Sequence, residues 1–274
     1  MKTKYLKSAG LHIILFIVAL GMIFPLFWMV LLSLKEYPEK YNNFLELLSS
    51  PYTIQNFTDT LGSDIFGTYF LNSLFVSSLV TLGNIIFCTI VAYSFARKEF
   101  FGKEVLFITV LSVLIIPPHV VMIPLYRMMV NFDWINSYFS LIVPWLVTPF
   151  GIFLLRQYIS TIPTDIEDAA RIDGAGQWYI IFRIIMPLCK PILTVLAIYT
   201  FLGNWNSFLY PYLFTSEDAY RTLPVGLTFY LGKQSIDWGH LMAGAGIAAL
   251  PVLLIFMFFQ KQIIKGLTAG ALKE

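Results

Sequence analysis

The chain has 274 residues, of which 58% are hydrophobic, 17% aromatic and only 12% charged. A soluble domain carries about a quarter of its residues as charges to cover its core, so this is an integral membrane protein. The net charge of +2, with no basic run interleaved with aromatics, excludes nucleic acid as a partner.

Six windows contain no Asp, Glu, Lys or Arg: residues 8–34, 65–96, 105–126, 134–155, 191–216 and 238–260. Crossing the hydrocarbon of a bilayer takes about 20 helical residues. The chain is therefore expected to be all-α, with six transmembrane helices at 11–34, 68–96, 105–126, 136–156, 184–213 and 239–262. The whole of 1–274 reads as one transmembrane domain. Lys2, Lys4 and Lys7 precede the first window, but its apolar part is too long for a signal peptide and no small-residue cleavage site follows. Two connections, 35–66 and 214–238, are long enough to meet a partner outside the membrane. Prolines recur within the spans, from Pro25 through Pro117 and Pro118 to Pro251, and are expected to kink them. Cys88 and Cys189 lie in or beside apolar stretches and read as small buried hydrophobes.

Thirteen of the 18 lysines and arginines fall on one side if the N-terminus is cytoplasmic. The positive-inside rule then puts both termini and the connection between spans four and five in the cytoplasm. That connection, "IPTDIEDAARIDGAG", holds a short polar helix. Thr164 and Glu167 have the spacing of a capping box, Asp165, Glu167 and Asp168 suit the positive end of a helix dipole, and Gly174 and Gly176 supply the exit. Ile166, Ala169 and Ala170 share a nearly flat apolar face. From the residues alone this is either a docking helix or an ordinary surface linker.

In the fifth span "GNWNSFLYPY" places Asn204, Trp205, Asn206 and Tyr210 in the outer half. Amides beside an aromatic face are what a sugar site requires; amides that only tie helices together are the alternative. Asn72, Ser73 and Asn84 in span two are weaker candidates of the same kind. Span six carries Gly244 with Ala248 and Ala245 with Ala249, a small-xxx-small spacing that permits close helix packing.

The run D-A-A-R-I-D-G-A with a later M-P resembles the E-A-A-x-x-x-G…I-x-L-P signature of membrane permeases of bacterial ATP-binding-cassette importers. It maps onto Asp168, Ala169, Ala170, Gly174, Ile184, Met186 and Pro187, with Asp for Glu and Met for Leu. "RTLPVGL" and the C-terminal stretch from "AGAGIAALPVLL" to "GLTAGALKE" are similar to the shorter six-helix partner in the maltose-transporter class. The resemblance implies the type I importer permease fold in a bacterial cytoplasmic membrane, with 164–175 as a coupling helix seated in a separate ATPase. Glu167, Asp168, Ala169, Ala170, Asp173 and Gly174 become the implied coupling residues. The implied partners are a second homologous permease, two ATPase subunits, an extracellular or periplasmic solute-binding protein, and membrane lipid. ATP and Mg would sit on the ATPase.

This chain itself carries no phosphate loop. Gly226 to Gly232-Lys233 has one residue too many and ends in Gln234, and no catalytic or metal-ligand motif is present. The expected function is translocation of a sugar or oligosaccharide, not an enzymatic reaction. A glycerol-phosphate or other polar-solute permease is the alternative within the family, disfavoured because no Lys or Arg lies in the outer half of the spans. A secondary transporter or channel is the alternative class, disfavoured because the spans lack intramembrane charges.

Overall fold

A computed structural model describes residues 2–41, 43–49, 51–232 and 236–269, with side chains described only between residues 11 and 262. Lys233 and Gln234, at the end of the failed phosphate-loop match, and the tail at 270–274 lie outside the described residues. Among the described residues every regular element is helical.

Four stretches are long and apolar enough to cross a membrane without a sharp bend: Leu11–Ser33, Asp64–Arg97, Tyr138–Ile159, which is interrupted at 146–148, and Trp238–Gln262. Two further stretches reach that length only as bent pairs, which brings the number to as many as six. Lys103–Ile115 and Pro118–Asn131 meet at 97°, and Gln177–Leu188 and Lys190–Trp205 at 82°. Single spans over 105–126 and 184–213 were expected there. At the first bend two adjacent prolines remove two backbone donors and hold Pro117 extended, at φ −60° and ψ 131°. At the second, Cys189 leaves helical geometry two residues before Pro191. The expected fifth span also stops at Trp205, and Leu209–Phe214 forms a separate short helix.

The chain divides into two compact units, Met1–Gly67 with Gly226–Pro251, and Thr68–Val225 with Val252–Glu274. In the first unit, Leu31, Leu32 and Leu47 pack with Trp28, Tyr41 and Met242. The buried Asn56 amide donates to the carbonyls of Ser33 (2.9 Å) and Lys35 (2.7 Å), satisfying the end of the first helix. Lys35 is itself enclosed, donating to the Ser49 and Pro51 carbonyls and lying over the Tyr52 ring; burial pushes its pKa down. Gly244 packs closely inside this unit: a Cβ there would stand 2.6 Å from the tip of the Leu227 side chain, which would have to shift.

In the second unit the helix Asp64–Arg97, from Thr68 onward, packs along Pro149–Ile159. Cys88, Ala92, Tyr93, Ile152, Leu155 and Ile159 form the heart of its core. Both cysteines are buried and free. The approach is close because Gly83 and Gly151 lack side chains: a Cβ on Gly83 would meet Leu146 at 2.3 Å, and one on Gly151 would meet the Cys88 sulfur at 2.9 Å. The long helix loosens into a π turn at Asn84–Cys88. There the buried Asn84 donates to the Trp145 carbonyl (2.6 Å) and accepts from the Thr148 hydroxyl (2.7 Å). Those two residues flank the break that precedes Pro149, so the amide satisfies backbone that the break would otherwise strand in hydrocarbon.

Candidate functional site: the helix between spans four and five

The polar connection forms the helix Asp165–Ile172. The expected capping box does not form. Thr164 has helical dihedrals (φ −66°, ψ −27°) and its side chain caps nothing, while its carbonyl accepts from the Glu167 N–H at 2.9 Å. The Glu167 carboxylate turns away from the helix start because it has stronger partners elsewhere. It is 1% exposed, accepts from the Tyr93 hydroxyl and from Arg97 Nε, each at 2.6 Å, and meets Arg171 at 3.3 Å. Arg97 also donates to the Ile162 carbonyl. Glu167 is the one fully buried residue of its helix. A buried carboxylate is tolerated only when charge-assisted bonds replace its hydration, and here two guanidiniums and a phenol do so.

The C-terminal end follows the glycine prediction. Gly174 takes the left-handed conformation at φ 84°; its N–H donates to the Arg171 carbonyl (3.0 Å) and the Ala175 N–H to the Ala170 carbonyl (2.9 Å), a Schellman closure. Asp168 pairs with Arg171 at 2.6 Å on the exposed side. The expected flat apolar face divides: Ile166 and Ala169 are exposed, whereas Ala170 packs against the core of the second unit. Ile172 is 88% exposed, and Trp178 and Tyr179 stand exposed just beyond it. Ala170, Asp173, Gly174, Ala175, Gly176, Tyr179 and Ile184 line an open cavity of about 500 Å³. The coupling candidates therefore separate by role. Asp168, Ala169, Asp173 and Gly174 are exposed, Ala170 is half-buried against the core and reaches the cavity, and Glu167 anchors the helix from beneath.

In the fifth span the four candidates do not converge. Trp205 is 2% exposed, stacked on Phe201 (5.8 Å between centroids, 12°) and edge-on to Phe70 (5.4 Å, 82°). The Asn204 amide donates to Thr200 of its own helix (2.8 Å) and borders a cavity of only about 10 Å³, room for a single water. Asn206 is exposed and donates to the Leu202 carbonyl at 2.9 Å. Tyr210 donates to the Pro118 carbonyl (2.7 Å) and packs on Trp145.

Sequence reasoning missed a polar cluster at the other end of the helix Asp64–Arg97. The Tyr69 hydroxyl donates to Asp218 (2.6 Å) and the Asn72 amide to the carbonyls of Ala219 and Arg221 (both 2.9 Å). The Ser73 hydroxyl accepts from the Leu223 N–H (2.8 Å). Hydrogen bonds from Tyr69 and then Arg221 hold the Asp218 carboxyl below its usual pKa. Asn136, left-handed at φ 55°, accepts from the Ser216 N–H at 2.6 Å and pins the start of the same segment. Asn72 and Ser73, weak substrate candidates by sequence, are thus occupied with backbone.

Residues 84–269 match a protein family described as the binding-protein-dependent transport system inner membrane component. The chain is 35% identical over 267 residues to the arabinooligosaccharide transport system permease protein AraQ of Bacillus subtilis, covering 96% of this chain and 95% of that one. It is 33% identical over 278 residues to the trehalose/maltose transport system permease protein MalG of Thermococcus litoralis, covering 100% and 99%. Among solved structures it matches a chain of a bacterial ABC transporter involved in the import of the acidic polysaccharide alginate. The TM-score is 0.86 at 19% identity, over 95% of this chain and 98% of that one.

Proposed function

This chain belongs to the family of binding-protein-dependent transport system inner membrane components, and we propose that it is the permease subunit of an ATP-driven importer for a sugar or oligosaccharide. Both termini and the helix Asp165–Ile172 face the cytoplasm, in keeping with the charge asymmetry of the connections. ATP, with its Mg, is bound and hydrolysed on a separate ATPase, of which two copies serve this chain and a second, homologous permease. A solute-binding protein outside the membrane delivers the substrate. The sugar assignment draws on the named substrates of the relatives and on the six charge-free windows of the sequence, which suit a neutral solute better than a phosphorylated one.

The observation that carries the coupling role is the construction of the inner helix. It presents Ile166, Ala169 and Ile172 outward while a single buried carboxylate fixes its underside. A linker needs no such anchor, and the exposed Ile166, Ile172, Trp178 and Tyr179 offer apolar surface for a partner to cover. The helix then moves as the ATPase closes, and the bundle switches access between the two sides. The test is uptake of labelled arabino- and malto-oligosaccharides by membrane vesicles holding the native complex, with and without ATP on the cytoplasmic face. ATP-dependent uptake that Ile172→Asp abolishes, together with loss of the co-purifying ATPase, is the expected result. Uptake driven by an ion gradient without ATP would refute the assignment.

A further inference from the structure

The helix Asp64–Arg97 is gripped at both ends by the two polar clusters already described, and nothing in the sequence links them. Near its last turn, Tyr93 and Arg97 hold Glu167 of the inner helix, with Tyr93 and Glu167 each 1% exposed. Near its first turns, Tyr69, Asn72 and Ser73 hold Asp218, Ala219, Arg221 and Leu223 of the segment that follows the fifth span. Tyr69 and Tyr93 are separated by about 36 Å along a helix axis at 1.5 Å per residue. Between them the helix is locked against residues 145–151 by the close approaches at Gly83 and Gly151 and by Asn84.

We propose that Glu167 is a positioning residue: it latches the inner helix to Asp64–Arg97, which acts as a rod carrying displacement of that helix to the segment Ala219–Leu223 on the opposite side of the membrane. Three features support this. The latch is charge-assisted and buried, so it is stiff, whereas the surface pair Arg171–Asp168 is exposed and weak. The rod is one helix whose single irregularity, the π turn, is itself cross-tied. The far grip is made to backbone carbonyls and an N–H, so movement of the rod displaces the main chain of the segment and not merely its side chains. Physical coupling of this kind requires that both ends shift together between two arrangements.

The proposal rests on the coupling reading above, and the experiment separates their failures. Ala219→Cys places an exposed reporter on the far segment, while Cys88 and Cys189 are buried. The native complex, purified from its own membranes by a tag on this chain, is labelled with a membrane-impermeant maleimide with and without ATP plus vanadate. The otherwise unaltered complex should change its labelling rate about fivefold or more, within the usual range of coupling between sites. In Tyr93→Phe and in Glu167→Gln the ATPase should still co-purify, but the change should shrink to less than about twofold. A full response in both variants with the ATPase bound overturns the latch and leaves the coupling reading standing. An Ile172→Asp complex that keeps its ATPase and its response overturns the coupling reading itself. An unresponsive Ala219→Cys reporter in the otherwise unaltered complex overturns the rod. Should Glu167→Gln fail to assemble, Tyr93→Phe, which deletes one hydroxyl and no charge, decides the matter.

Discussion

Trp205→Ala tests whether the fifth span's aromatic residue packs the bundle or lines the route of the substrate. The indole is 2% exposed, stacked on Phe201 and edge-on to Phe70. Truncating a tryptophan in such a site removes about 3–5 kcal/mol of packing, and the aromatic pairs it makes are worth about 0.5–1.5 kcal/mol each beyond area. Taking about 3 kcal/mol as the lower end, and about 2–4 °C per kcal/mol for a domain of this size, the melting temperature should fall by roughly 6–12 °C. Phe70→Ala should lower it in the same direction, and the double variant should lose less than the sum because each truncation removes the shared contact. The assay is thermal unfolding of the detergent-purified complex beside oligosaccharide uptake at a temperature where it stays folded. Uptake lost while the melting temperature holds would refute the packing argument and return Trp205 to the translocation path.

Three other outcomes follow from the same geometry. Cysteines placed at the exposed Leu45 and at Gly176 should divide in intact cells, the first labelled by an impermeant reagent and the second not; labelling at Gly176 would reverse the topology. Asn84→Leu should strand the Trp145 carbonyl and the Thr148 hydroxyl at about 1–3 kcal/mol each, seen as a lowered melting temperature without loss of membrane insertion. Because the Asp218 carboxyl titrates below its ordinary value of 3.8, its ties to Tyr69 and Arg221 stabilise the segment above that pH and are lost as the pH falls further through the depressed value. Amide exchange across Ala219–Leu223 should accelerate there in the parent chain, whereas Asp218→Asn should show faster exchange already at neutral pH and no acid step.

The helical architecture was legible because hydrocarbon forces it: charge-free windows of sufficient length have no other regular structure available. The bends were not. Pro25 and Pro251 sit inside unbroken helices, whereas Pro117–Pro118 and Pro191 accompany turns of 97° and 82°. A proline deletes a donor wherever it stands, but only packing decides whether the chain bends around the loss. The inner helix shows the same division between local and distant information. Its left-handed glycine exit is a local matter and was readable from Gly174. The Thr164–Glu167 spacing was equally suggestive and misleading, because the carboxylate is claimed by Tyr93 and Arg97 from a helix far away in sequence. No spacing rule reports a partner about seventy positions off.

Buried amides in this chain serve broken backbone. Asn56 answers the end of the first helix, Asn84 the break before Pro149, and Asn72 the segment after the fifth span. Tyr210 does the same for Pro118. Each of these carbonyls would otherwise be buried unpaired at a cost of several kcal/mol, so a donor beside such a break is a condition of folding before it is a feature of transport. Polarity inside a span is therefore weak evidence for contact with a sugar until the breaks have been satisfied. Applied to the fifth span, the criterion removes Tyr210, whose hydroxyl is committed to Pro118, and Trp205, which is sealed by Phe70 and Phe201. It leaves two of the four candidates bound only to their own helix: Asn206, which is exposed, and Asn204, half-buried beside a cavity of about 10 Å³.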